Sequence, residues 1–267
     1  MRTLTELMAL PGRRALISGG AGHVAHAAAE ALVELGATVA IADRDEAACR
    51  ARADALSRAR AGSALALPCD LADSRATREV VCEATERMGG LDIVVHSAAF
   101  LGSTTYPGWA VRFEEQTVDA WEAALRVDLT AGFVLAQAAY PFLAASGRGA
   151  VCFLSSIYGI VGPDMRLYEG TLMSNPAGYA ASKGGMIQMT RYLAAVMGPL
   201  VRVNCVSPGG IFREQPQAFV DRYQARTPLR RMATEEDLKG AIAYLVSDLS
   251  AYVTGHNLVV DGGWTIW

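Results

Sequence analysis

Residues 14–36 run Arg14-Ala15-Leu16-Ile17-Ser18, then Gly19-Gly20-Ala21-Gly22, then His23-Val24-Ala25-His26-Ala27-Ala28-Ala29-Glu30-Ala31-Leu32-Val33-Glu34-Leu35-Gly36. The first five are a short apolar run of the kind that forms a strand covered on both faces. Small residues follow, which lets the chain turn sharply. Val24, Ala27, Ala28, Ala31, Leu32 and Leu35 then recur at the i, i+3, i+4, i+7 spacing of one helical face, and Gly36 ends the helix. A second apolar run at 38–42 completes a strand–helix–strand crossover, the unit of a parallel sheet.

The same alternation continues to the end of the 267 residues. Apolar runs lie at 14–18, 38–42, 64–68, 91–95, 150–154, 201–206 and 258–260, and helical segments separate them, including 117–145 with Trp121, Leu125, Leu129 and Gly132 near one face. A long helix starts at Ala177, directly after Pro176, and runs to Met197. No internal repeat or linker interrupts the pattern. The expected architecture is an α/β fold in one domain over 1–267, a Rossmann-like, doubly wound, seven-stranded parallel sheet with helices on both faces. The connections at 100–116, 157–175 and 209–226 are long for such units and follow strands, so they gather at the carboxyl edge of the sheet, where open α/β sheets bind ligands.

Composition excludes several classes. Hydrophobic residues are 52% and charged residues 19%, enough apolar material for a large core. The formal charge is −3 with no basic run, so no nucleic-acid partner is expected. No stretch reaches about 18 consecutive apolar residues, and the start, MRTLTELMALPGRRA, lacks a signal-like apolar core. No membrane association and a cytoplasmic location are expected. Five cysteines, odd in number and without a Cys-x-x-Cys pair, fit a reducing compartment. His23 and His26 lie three apart, but nothing is spaced to complete a metal site, so none is expected.

The turn carries a ligand signal. Gly20, Gly22 and Ala25 match G-x-G-x-x-G/A between a strand and a helix, where a pyrophosphate approaches backbone N–H groups. Ser18, His23 and Val24 flank this turn. Asp43 stands 21 residues beyond Gly22, placed to accept from ribose hydroxyls and to repel a 2′-phosphate. It favours NAD, while the adjacent Arg44 keeps NADP open. Asp70, followed by Leu71, ends the third strand at the same edge, as an adenine acceptor or a turn aspartate.

Tyr179 and Lys183 in Tyr179-Ala180-Ala181-Ser182-Lys183 lie one helical turn apart, so an ammonium can ease ionisation of a phenol. With nine tyrosines and two lysines, chance produces such a pair only about 7% of the time. Ser156 ends the fifth strand and can offer a hydroxyl beside Tyr179.

At this point the chain resembles the short-chain dehydrogenase/reductase family. The residues that carry the likeness are SGGAGHVA, Asp43, Asp70, Ser156, YAASK, Asn204-Cys205-Val206-Ser207-Pro208-Gly209, and the tail from Tyr252-Val253-Thr254-Gly255 to Val260-Asp261-Gly262-Gly263. The resemblance implies that Ser156 orients a carbonyl or alcohol, Tyr179 exchanges the proton, and Lys183 holds the nicotinamide ribose and tunes Tyr179. It further implies that Pro208, Gly209 and Ile211 flank the nicotinamide and that Ser97 and Ala98 contact the adenosine side.

Four positions depart from the family pattern. His23 and Ala25 stand at two glycine positions of the usual turn, and Gly19, Gly22 and Ala25 fit the spacing of an extended branch better. His96-Ser97-Ala98-Ala99 replaces Asn-Asn-Ala-Gly. Asp128 replaces the asparagine that holds a relay water, and Arg213 replaces a threonine after the Pro-Gly turn. Asp128 is expected to be buried and to accept from that water and from Lys183.

Ser156 and Tyr179 are 23 positions apart, about twice the family's usual interval, and the excess includes Asp164, Arg166, Tyr168 and Asn175. With Trp109 and Arg112 of 100–116, this predicts a polar and aromatic pocket, with Ser156, Tyr158, Arg166, Tyr168 and Arg213 as substrate residues, unless both loops serve subunit contacts. The expected function is NAD(H)-dependent interconversion of a secondary alcohol and a ketone on a sugar, sugar phosphate or nucleotide sugar. The alternatives are an acyl or steroid ketone reductase and a dinucleotide-binding sensor without turnover. The chain is also similar to the branch found in flagellin-modification and nonulosonic-acid sugar pathways. A homodimer or homotetramer is expected, with the Trp264-Thr265-Ile266-Trp267 tail at the subunit contact.

Overall fold

The computed structural model describes residues 1–100 and 106–267. A short helix α1 (Leu4–Met8) leads into β1 (Arg14–Ser18), α2 (His23–Glu34), β2 (Thr38–Asp43), α3 (Glu46–Ala59), β3 (Ala64–Pro68), α4 (Ser74–Met88) and β4 (Ile93–His96). Then come α5 (Val118–Leu125), α6 (Ala131–Ala145), β5 (Gly149–Leu154), α7 (Ala177–Met197), β6 (Val201–Pro208), α8 (Gln217–Arg226), α9 (Glu236–Val246) and β7 (Asn257–Val260). The seven strands form one parallel sheet in the order β3-β2-β1-β4-β5-β6-β7. Strand order reverses between β1 and β4, which opens a crevice at their carboxyl ends.

Successive side chains of each strand go to opposite faces, so the apolar runs fill two cores. Leu16, Val94, Val151 and Val203 pack with α4, α6 and α7 on one side. Ile17, Ile41 and Val95 pack with α2, α3 and α9 on the other. β2 and β6 run further than their apolar residues, to Asp43 and Pro208, because sheet pairing carries them to the ligand edge (Asp43 opposite Pro68, Pro208 opposite Val260).

The 117–145 segment is not one regular α-helix. Arg126–Thr130 forms a π-helical turn between α5 and α6, and the side turned inward carries Ala120, Ala124, Asp128, Ala131 and Gly132. Trp121, expected near the buried face, is 39% exposed. Close approach of α7 explains this: a Cβ on Gly178 would stand 3.3 Å from the Trp121 Cα and 3.5 Å from the Ala124 Cβ, so only small side chains fit between. The whole Val118–Ala145 stretch is long and apolar enough to cross a membrane, and here its apolarity serves packing against the sheet and α7.

Trp264 corrects another expectation. It is fully buried in a third cluster with Ile157, Tyr168, Phe219 and Tyr223, stacked on the Tyr223 ring at 6.0 Å, with the Arg226 guanidinium 4.9 Å from its ring centre. The tail therefore fastens the 157–175 segment to α8 within one chain. Only Ile266 and Trp267 extend outward.

Candidate active site

The β1–α2 turn is built around backbone. Gly19 has φ +68°, and a Cβ there would lie 2.5 Å from the Ala98 Cα; one on Gly20 would lie 2.2 Å from the Ile41 Cγ2. A side chain on Gly19 would have to displace the backbone that follows β4, and one on Gly20 the Ile41 side chain of β2. Gly22 caps α2 with no side-chain hydrogen bond to the first turn, so the helix presents open N–H groups and its positive dipole end. Asp43 is tied to the turn, accepting from Ala21 N at 3.1 Å and Asp45 N at 3.1 Å.

A cleft of about 520 Å³ opens beside the turn, lined by Gly19, Gly22, Asp43, Arg44, Asp70, Leu71, Ser97 and Ala98, and on its far wall by Phe100, Tyr106 and α5. Asp70 accepts from Ala72 N (2.9 Å), as a turn aspartate does, and it also lines the cleft. Ser18 and Gly20 are buried beneath the turn and shape it without lining the cleft. His23 is exposed, 3.9 Å from Glu235, and Val24 is half-buried in the first turn of α2. Pro208 ends β6, Gly209 N donates to Val260 O (2.9 Å), and Ile211 bridges Ala233, which places these three on the other half of the same edge.

These residues fit a dinucleotide: a cradle that a Cβ would fill, an uncapped helix N-terminus and a carboxylate at the end of β2. Among the described residues no group of three or more His, Cys, Asp or Glu side chains could hold a metal.

Ser156, Tyr179 and Lys183 meet where β5 runs out against α7. Pro176 fixes the start of α7, so Tyr179 lies in its first turn and Lys183 one turn on. The Lys183 ammonium is buried, stands 5.5 Å from the Tyr179 ring centre, and donates to Leu154 O at 2.9 Å. Ser155 Oγ donates to Lys183 O at 2.8 Å, pinning the strand end to the helix. Burial pushes the Tyr179 phenol up to about 12; the Ser156 hydroxyl beside it pulls the other way, and the Asp128 carboxylate adds to the rise. Burial lowers the Lys183 pKa, and Asp128 opposes that shift.

Asp128 is fully buried, as expected, and two protein groups outside the expected set donate to it. Its Oδ1 accepts from Phe100 N (2.6 Å) and its Oδ2 from Ser182 Oγ (2.8 Å). Lys183 acts on it through charge, without a direct ion pair. Burial raises the Asp128 pKa, with Lys183 as the strongest opposing influence.

On the substrate side, Tyr158 and Tyr168 pair hydroxyl to hydroxyl at 2.9 Å, and burial raises the pKa of both. The two arginines are already engaged: Arg166 with Asp164 at 2.8 Å, exposed to solvent, and Arg213 with Glu235. Trp109 is buried against Phe100 at 4.9 Å and props the 106–116 segment, while Arg112 is exposed beside Glu114. The two long loops do meet, through Ser174 Oγ to Val111 O (3.3 Å), and Gln116 Oε1 accepts from Ala177 N at the start of α7 (3.0 Å). The hydroxyl side chains at 103–105 lie outside the described residues.

Sequence reasoning missed Ser182 as a partner of Asp128, and it noted His96 only as a departure. The structure buries His96 between Ser18 and Asp128. A polar side chain at the end of an otherwise apolar strand was the available signal.

Comparison with known proteins agrees with this geometry. A family model described as enoyl-(acyl carrier protein) reductase matches residues 19–265. Trans-4-hydroxycyclohexanecarboxylate dehydrogenase of Sinomonas cyclohexanicum is 34% identical over 94% of this chain and 92% of its own. L-rhamnose 1-dehydrogenase (NAD(P)(+)) of a Sphingomonas strain is 32% identical over 95% and 96%. Among solved structures, a short-chain dehydrogenase from Leptospira borgpetersenii with bound NAD+ superimposes with a TM-score of 0.83, 29% identity, and coverage of 99% and 96%. The chain therefore belongs to the short-chain dehydrogenase/reductase family, whose members use NAD(P), and is an oxidoreductase acting on hydroxyl groups.

Proposed function

We propose that this enzyme interconverts a secondary ring alcohol and the corresponding ketone on a small, polar, sugar-like substrate, with NAD as the preferred dinucleotide. The observation that carries the reading is the convergence of Ser156, Tyr179 and Lys183 at the sheet edge that also bears the glycine turn and Asp43. The relatives named above for a hydroxylated cyclohexane acid and for a sugar support the substrate class. Sugar biosynthesis of the flagellin and nonulosonic-acid type is the narrower form of the same proposal.

Gly19, Gly22 and the first turn of α2 would hold the pyrophosphate, Asp43 the adenosine ribose, and Lys183 the nicotinamide ribose, with Pro208, Gly209 and Ile211 beside the nicotinamide. When bound, the nicotinamide supplies the hydride acceptor or donor. Ser156 orients the substrate oxygen. Tyr179 takes its proton in oxidation and returns it in reduction, and the Lys183 ammonium stabilises the phenolate. Tyr158 and Tyr168 offer hydroxyls for further substrate oxygens. Apolar side chains exposed on α6 and α7, Phe133, Tyr192 and Val196, support a homodimer or homotetramer. Five free thiols support a reducing cytoplasm.

Two results are expected. Because the resting phenol is held protonated and oxidation needs it as a base, kcat/KM for alcohol oxidation should rise with pH from neutral into the alkaline range, while ketone reduction should be flat or fall. Initial rates in both directions check this; an oxidation rate that falls with rising pH contradicts it. Second, Asp43→Ala should lose the NAD over NADP preference, by about tenfold in the ratio of kcat/KM values, through loss of ribose hydrogen bonds and of repulsion at the 2′ position. A wild-type enzyme that already prefers NADP would show that Arg44 governs the choice.

A further inference from the structure

His96 closes β4 directly opposite Ser18 in the sheet register and has no solvent exposure. Its Nδ1 lies 2.7 Å from Ser18 Oγ and its Nε2 lies 2.8 Å from the backbone oxygen of Asp128. A carbonyl can only accept, so Nε2 carries a proton. Burial, with the Lys183 charge acting in the same direction, lowers the imidazole pKa to about 4, so the ring is neutral and Nδ1 accepts from the Ser18 hydroxyl. The hydrogen bonds thus select one tautomer.

The fold makes room for this ring. A Cβ on Gly132 would stand 2.9 Å from the His96 Cδ2, and Phe153 meets the imidazole edge-on at 6.1 Å. The carbonyl it holds belongs to the π-helical turn Arg126–Thr130, a local widening that often marks functional positions. The side chain of the same residue bonds Ser182, whose hydroxyl also lies 2.9 Å from the Tyr179 carbonyl. A continuous path therefore runs from the residue preceding the glycine turn, through His96 and Asp128, to the first turns of α7.

We propose that His96 is a positioning residue: it ties the Asp128 turn to the cofactor-binding turn through Ser18, and so sets where the Asp128 carboxylate stands relative to Lys183 and Tyr179. This rests on Tyr179 as the proton-transfer group. The charge acting on the ring is that of Lys183 from α7; Asp128, from the π-helical turn, meets it through its backbone oxygen, and Ser18 and Phe153, from the neighbouring strands, are neutral.

Two measurements test it. Long-range proton–nitrogen NMR of the imidazoles, independent of turnover, should show one ring that stays neutral with its proton on Nε2 from about pH 5 to 8, and whose signal is absent in His96→Asn. A proton on Nδ1, or a titration inside that window, overturns the proposal. In kinetics with NAD+ and trans-4-hydroxycyclohexanecarboxylate, His96→Leu should lower kcat about tenfold with both KM values within about twofold. His96→Gln, which keeps an amide donor at similar reach, should recover to within about threefold of wild type. In an Asp128→Leu background, or Asp128→Asn should the former not fold, His96→Leu should cost less than about twofold, because its effect passes through that carboxylate. Fully additive losses, or a change in KM alone, would make His96 merely structural. Should wild type oxidise no ring alcohol, the functional reading fails, and the tautomer measurement still decides His96.

Discussion

Tyr179→Phe is expected to lower kcat about a thousandfold in both directions while dinucleotide affinity stays within about twofold. The phenol is the group in the cluster placed to exchange a proton with the substrate oxygen: Ser156 caps the turn after β5, accepting from Tyr158 N at 3.2 Å, and the buried Lys183 gives one of its three ammonium protons to Leu154 O and acts on the phenol as a cation. General acid–base groups commonly contribute 10²–10⁴-fold, which sets the magnitude. Phenylalanine keeps the ring that packs with Phe100 and Trp109, so folding should be little affected. Steady-state rates and fluorescence titration with NADH check both halves. A loss below about tenfold would show that another group moves the proton.

The largest effect on stability is expected at the opposite edge of the sheet. Asp92 is fully buried just before β4, where it accepts from Arg14 N (2.9 Å), Arg14 Nε (2.7 Å) and Arg148 Nε (3.1 Å). Burial raises its pKa, but the hydrogen bonds and charge of Arg14, with the hydrogen bond from Arg148, outweigh this and leave the pKa below its ordinary value. Asp92→Asn should cost about 3 kcal/mol, the low end for breaking a buried charged pair, because both arginines regain water at the rim. For a chain of this size that is roughly 6–12 °C in Tm. The sign of the pH dependence follows from the lowered folded pKa. The carboxylate's contribution is fully present above its unfolded pKa of about 4 and is lost as pH falls through the folded value, so the gap between wild type and variant should be constant at neutral pH and shrink in acid. Urea titrations at several pH values measure it, and a cost under about 1 kcal/mol would contradict the account.

Particular residues explain why some of the molecule could be read from its sequence. The strand cores were readable because short apolar runs such as Ala15-Leu16-Ile17 stop at Gly, Asp or Pro, and the start of α7 because Pro176 sets it. The pairing of Ser156 with Tyr179 and Lys183 was readable because a strand end and a helical i, i+4 spacing are both local signals. Packing between helices was not. Trp121 resembles a core residue by period, yet the close approach of α7 leaves room only for the alanines beside it. Arg166 and Arg213 looked available to substrate because a sequence does not show that Asp164 and Glu235 turn toward them. His96 and Asp128 are 32 positions apart, and no periodicity connects a strand end to the carbonyl of a π-helical turn.

The central claim is that this chain oxidises ring alcohols with NAD through Tyr179. The most direct measurement is nicotinamide absorbance after mixing the enzyme, NAD+ and either L-rhamnose or trans-4-hydroxycyclohexanecarboxylate, run beside Tyr179→Phe and beside NADP+. The account predicts reduced nicotinamide with at least one of the two alcohols, slower turnover with NADP+, and almost none in the variant. Binding of NAD+ without reduction for either alcohol, or equal turnover in Tyr179→Phe, would contradict it.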